Sequence, residues 1–192
     1  MPKTTTALLS VMAAFVLAFA VACTPAPTTT APAEAISSYA EDRALIEDLQ
    51  ARYMFALDFK DVDAYLATFT EDGVLDIGTG EIKGHEAIRK IISGMPSNQA
   101  AAKDAAKPYP ATGRHNITNI VIKVEGNTAK GVAYWFHYGN NNPKRTATLN
   151  SYGHYVDEME KVNGKWLFKK RRIYNEQVAD WIAPPGNPCW RD

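Results

Sequence analysis

In the stretch YAEDRALIEDLQARYMFALDF, Leu45, Ile46, Leu49, Tyr53, Ala56 and Leu57 recur at spacings of three and four. That is the period of a helix with one apolar stripe. Ser38 with Glu41 three places on has the form of a capping box and predicts where the helix opens. Asp61 is placed to cap a second, shorter helix over VDAYLATF, followed by a turn at TEDG, a short strand at VLDIG and a turn region at GTGEIKG. HEAIRKIISGM puts Ile88, Ile91 and Ile92 on one side and Gly94 near its end, predicting a third helix. Residues 96–112 read as a long polar, alanine-rich loop. After it the pattern becomes that of strands. HNITNIVIKV, TAKGVAYWFHYG, TATLNSYGHYVDEMEKV and KWLFKKRRIYNEQ are separated by the turn signals EGN, NNNPKR and Asn163-Gly164. Helices first and a meander of long strands afterwards predict an α+β fold, with a curved antiparallel sheet packed against N-terminal helices. Such a sheet leaves an apolar hollow, and the strand aromatics, among them Trp135 and Tyr155, are available to fill or line it.

The two ends stand outside that pattern. Ala7 to Ala22 is an apolar run of 16 residues behind Lys3, in the range of a signal peptide and short of the ~20 residues of a spanning helix. It closes on AVAC, which resembles a bacterial lipobox and makes Cys23 the expected lipidated residue. A Pro/Thr-rich tether follows over residues 23–37, then the domain at 38–180 and a Pro-rich tail at 181–192. The expected location is the periplasmic side of the cell envelope, held to the membrane through Cys23. Thr24, where an aspartate would signal retention at the inner membrane, points to the outer one. Lipidation leaves Cys189 without a partner, so the fold must rest on its core.

Charge and motifs remove several function classes. Loss of the leader with Lys3 leaves 20 basic against 21 acidic residues, which argues against a nucleic-acid partner. The run Lys169–Arg172 sits in a strand, where alternate residues face opposite ways and cannot form one patch. His85, His115, His137 and His154 lack metal-ligand spacing, and Gly78-Thr79-Gly80 lacks the rest of a dinucleotide fingerprint, so neither metal nor cofactor is expected. What remains is a set of polar residues in apolar contexts. Asp58 falls at the C-terminal end of the first helix, where the helix dipole disfavours a carboxylate and a partner is needed. Tyr53 lies on the apolar stripe, and His115 opens an apolar strand. Arg172 shares strand parity with Trp166 and Phe168, which predicts a half-buried face and an anion to match.

The order Y-x-x-x-x-D-x-x-D, G-E-x-x-G-H-E-A-I, R-H-x-x-T-N, Y-x-D-x-x-x-x-x-N-G-x-W and R-I-Y resembles the SnoaL-like branch of the nuclear transport factor 2-like superfamily over residues 38–177. Within it the likeness is to scytalone dehydratase, bile acid 7α-dehydratase and hexachlorocyclohexane dehydrochlorinase. The resemblance implies a cone-shaped α+β barrel with a deep apolar cavity and an Asp–His pair inside it. It assigns Asp58 and His115 to that pair, and Tyr53 and Arg172 to the tyrosine and arginine of the bile acid enzyme. His137 falls out of register with the second cavity histidine of scytalone dehydratase. Tyr155 and Trp135 are expected pocket liners. At about 100° per residue Tyr53 and Asp58 lie roughly 140° apart, which predicts unwinding of the helix end if both are to reach one cavity.

These residues imply a cofactor-independent lyase or isomerase acting on a hydrophobic cyclic small molecule. A second reading is a module that binds such a ligand without turning it over. A third is an interaction domain that forms a homodimer through its open sheet face.

Overall fold

The computed structural model describes residues 31–95, 111–177 and 186–190, with side chains from Ser38 onward. The expected leader, the Cys23 lipidation site, the loop at 96–110 and most of the C-terminal tail lie outside these residues. In chain order the elements are α1 (Ala31–Phe59), α2 (Val62–Leu66), β1 (Phe69–Asp76), β2 (Glu81–Lys83), α3 (Gly84–Gly94), β3 (Gly113–Glu125), β4 (Thr128–Gly139), β5 (Thr148–Val162) and β6 (Lys165–Asn175). The strands form one six-stranded sheet in the order β2-β1-β6-β5-β4-β3. The expected α+β architecture is present, with the helices packed against a sheet that is antiparallel except between β1 and β6.

Three local expectations are corrected. Helix α1 already includes Ala31, so Ser38 lies inside it rather than capping it. The alanine-rich sequence there favours helix, and a proline at position 32 is tolerated in a first turn. TEDG is not a turn but part of β1, which pairs in parallel with β6. No hairpin joins these two strands, so packing rather than a turn sets their relative direction. Asp61 does cap α2, accepting the backbone N–H of Ala64 at 2.9 Å, but the helix ends at Leu66, short of Phe69.

The core lies between the helices and the concave sheet face. Ile46, Leu49 and Tyr53 of α1, Ile88 and Ile92 of α3, Leu75 of β1, and Trp166 and Phe168 of β6 are all buried in one cluster. Each such side chain contributes about 1.5–3 kcal/mol by leaving water. At one end α1 is latched to the sheet by Asp42, which accepts from Lys161 Nζ at 2.6 Å and Trp166 Nε1 at 2.9 Å. Burial works to raise the Asp42 carboxyl, but these two donors outweigh it and hold the pKa below the usual carboxylate value.

Two irregularities decide which side chains face inward. In β3 the register slips between Thr118 and Val121, with Asn119 in the left-handed region (φ 53°). The slip keeps Ile117, Ile120, Ile122 and Val124 all packed toward the core. In β6 Phe168 pairs with Met159 and Lys170 with Glu158, leaving Lys169 as the extra residue of a bulge. Trp166 and Phe168 therefore face inward before it, and Arg171 and Ile173 after it. The outer face of the sheet exposes Tyr134, Tyr138, Leu149 and Tyr152.

Candidate functional site

The concave face holds a cavity of about 320 Å³. Its fully buried lining consists of Tyr53 of α1, Tyr65 of α2, Leu75 of β1, Ile92 of α3, Trp135 of β4 and Tyr155 of β5. Half-buried residues complete the lining: the polar Lys60, His115, Ser151 and Asn175 and the apolar Leu57, Ile77, Met95 and Ile173.

His115 reaches this wall from the start of β3. Its Nδ1 lies 2.6 Å from Asp58 Oδ1, and its backbone N–H donates to Asp58 Oδ2 at 2.9 Å. Asp58 is 4% exposed. The partner expected for a carboxylate at this disfavoured helix end is therefore the strand opposite, which supplies donors from both its main chain and its side chain. No unwinding is needed, since α1 stays helical through Phe59. Asp58 faces β3 rather than the cavity, and His115 bridges the angle between it and Tyr53. A carboxylate is an acceptor, which places a proton on Nδ1; in the neutral ring Nε2 is then the accepting nitrogen.

Tyr53 is fully buried, and its hydroxyl accepts from that of Tyr65 at 2.8 Å. The Tyr53 proton is thereby free to point elsewhere. Burial pushes the phenols of Tyr53, Tyr65 and Tyr155 up, those of Tyr65 and Tyr155 well above the ordinary value; the Arg171 guanidinium opposes the shift in each. All three therefore stay protonated near neutral pH and can act as donors.

The arginine expectation is corrected by the β6 bulge. Arg172 points to the outer side, where its side chain is 42% exposed, its Nε lies 3.6 Å from Asp76 Oδ2 and its guanidinium stacks on Tyr174. The inward arginine is Arg171. It is completely buried, pairs with Asp157 through Nε at 2.9 Å and Nη2 at 2.7 Å, and also donates to Gln50. Its guanidinium carbon lies 4.2 Å from the ring centre of Tyr53 and 4.1 Å from that of Tyr155, so it backs the cavity floor without lining it.

His137 is the register partner of His115 on β4, and the two rings lie 4.4 Å apart. It thus stands beside the dyad, although it does not line the cavity. Burial first, and the neighbouring His115 second, push its pKa below the ordinary imidazole value against the pull of Asp58. Sequence reasoning passed over Lys60, Tyr65, Ser151 and Asn175 as cavity residues. Strand alternation from Tyr155 would have reached Ser151, and alternation from Arg171 would have reached Asn175 had the bulge been legible.

Several solved structures share this architecture. A candidate scytalone dehydratase from Novosphingobium aromaticivorans is 22% identical, with 82% of this chain and 99% of that one covered and a TM-score of 0.61. A candidate aromatic ring hydroxylase from the same species is 30% identical, with 69% and 87% covered and a TM-score of 0.54. A protein of unknown function from Mycobacterium tuberculosis is 24% identical, with 75% and 77% covered and a TM-score of 0.61. No curated protein matches the chain. The helices over a six-stranded sheet agree with a match of residues 38–172 to the model of the SnoaL-like domain, and the chain belongs to that family.

Proposed function

We propose that this protein is a cofactor-independent lyase or isomerase in which His115, held by Asp58, removes a proton from carbon in a hydrophobic cyclic substrate. The observation that carries the reading is the 2.6 Å contact between His115 Nδ1 and Asp58 Oδ1 in the wall of an otherwise mostly apolar cavity. Nε2 accepts the proton from a carbon beside a carbonyl, and the C–H electron pair becomes the new double bond. In an elimination, a hydroxyl on the next carbon leaves with its bonding pair and takes the Tyr53 proton to depart as water. Tyr65, which donates to Tyr53, supports the phenolate left behind. Release of the His115 proton and reprotonation of Tyr53 restore the site. In an isomerisation His115 returns its proton to a different carbon and no group leaves. The names of the neighbouring structures include a dehydratase, which accords with the first course.

A positioned base contributes about 10²–10⁴ in rate. His115→Gln should cost turnover by that order on a panel of hydroxy-ketones and sterols while ligand affinity stays within a few-fold. Unchanged turnover in this variant sinks the proposal. Retained binding by a wild type that converts no member of the panel favours the ligand-binding reading instead.

The same proposal sets the domain at the periplasmic face of a bacterial outer membrane, anchored through Cys23. Incorporation of labelled palmitate that is lost in Cys23→Ser tests the anchor. The homodimer reading rests on exposed Tyr134, Tyr138, Leu149 and Tyr152, and sedimentation at rising concentration tests it.

A further inference from the structure

Lys60 is out of place by local rules. It ends α1 in the left-handed region, with φ 55°. That position favours glycine, and a residue with a Cβ there costs about 1–2 kcal/mol. The long side chain then runs along the cavity wall, half-buried, instead of into solvent. Its ammonium donates to the Met95 carbonyl at the end of α3 at 2.6 Å, and it has no ion pair among the described residues. The other half-buried lysines are neutralised: Lys161 by Asp42, Lys169 by Asp72 and Lys170 by Glu81. An ammonium has three donors, and one carbonyl uses one of them. Apart from His115, no other basic side chain among the described residues lines the cavity.

We propose that Lys60 is an anion anchor, and that the ligand is a cyclic apolar molecule carrying a carboxylate. This deepens the function proposed above and rests on it. The arrangement of the cavity supports the orientation. The fully buried part of the lining offers aromatic rings and protonated phenols, which suit an uncharged ring system with a carbonyl or hydroxyl. The half-buried part of the lining includes Lys60, Ser151 and Asn175, whose polar groups suit a charged group that stays near water. A carboxylate on Lys60 would satisfy the remaining donors and leave the ring body packed on Trp135 and Tyr155. The competing account is structural: a cation close to the C-terminal carbonyls of α1 and α3 is favourable without any ligand.

The two accounts separate by calorimetry at pH 7 with a naphthalene carboxylate and its neutral carboxamide. The wild type should bind the carboxylate about tenfold tighter than the amide, the effect of one charge-assisted contact. Lys60→Met should abolish that preference and leave amide affinity within about twofold, while Lys60→Arg keeps it. His115→Gln should also keep it, because the anchor and the base are different residues. Equal affinity of the wild type for both probes, or a preference that survives in Lys60→Met, overturns the anchor and leaves the dyad reading standing. A purely structural lysine would lower thermal stability on replacement and move both affinities together, which also overturns the anchor. Failure of the wild type to bind either probe overturns the anchor and the cavity as a ligand site together.

Discussion

Asp58 grips His115 at two points, with Oδ1 2.6 Å from the ring Nδ1 and Oδ2 2.9 Å from the backbone nitrogen. The main-chain bond fixes where β3 begins relative to α1. The side-chain bond fixes which way the imidazole turns. One carboxylate thus couples the fold to the orientation of the proposed base.

Replacement of that carboxylate should therefore be felt twice. Asp58→Asn turns one of the two accepting oxygens into an NH₂ donor, which then faces the donors of His115 and is itself left unpaired. We expect a loss of about 1–3 kcal/mol in unfolding free energy, the cost of a buried donor left unpaired. His115→Gln keeps the main-chain bond and should cost less. Urea denaturation of both variants beside their turnover checks the order, and equal stability losses would contradict it.

Beneath the cavity floor, Arg171 and Asp157 are both fully buried and bonded to one another. Asp157→Asn leaves the guanidinium without its counter-charge in a dry site. Breaking such a pair costs about 3–5 kcal/mol. The urea midpoint should fall accordingly, and Arg172→Gln, on the outer side, should change it little.

Gly113 lies under the ring of His137, and a Cβ there would overlap His137 Nε2. Gly113→Ala should displace that ring while the domain still folds. Because His137 packs against His115 at 4.4 Å, the imidazole resonances of both histidines should shift in the NMR spectrum. Unperturbed His115 signals would show that the two rings are not coupled through packing.

The same histidine predicts a pH dependence of stability. His137 is held below the ordinary imidazole value of 6.5 in the folded state, by burial and then by His115. As pH falls below 6.5 the unfolded chain takes up this proton first, so its share of stability is fully present above that value. The share is lost progressively until the pH passes the folded pKa. His137→Phe should flatten the fall in melting temperature below pH 6.5, and an unchanged slope would remove His137 as its source.

Much of the fold was legible before any coordinates. The buried stripe at Ile46, Leu49 and Tyr53, the cap at Asp61 and the turn at Asn163-Gly164 are local features, although Leu45, counted into the stripe from its spacing, is exposed. Helical period, capping and positive φ are properties of a few consecutive residues, here φ 50° and 77° at the turn. Asp58 and His115 were singled out as an acid at a disfavoured helix end and a histidine opening an apolar strand, and the resemblance joined them. That they touch across 57 positions is a product of packing α1 on β3. The arginine was beyond the sequence, because one extra residue at Lys169 inverts strand parity, and no composition rule marks the bulge. Asn175 escaped with it, since the bulge also moves that residue to the inward set. The place of Lys60 in the cavity wall follows from how the end of α1 meets the end of α3, and helical periodicity carries no information about that meeting.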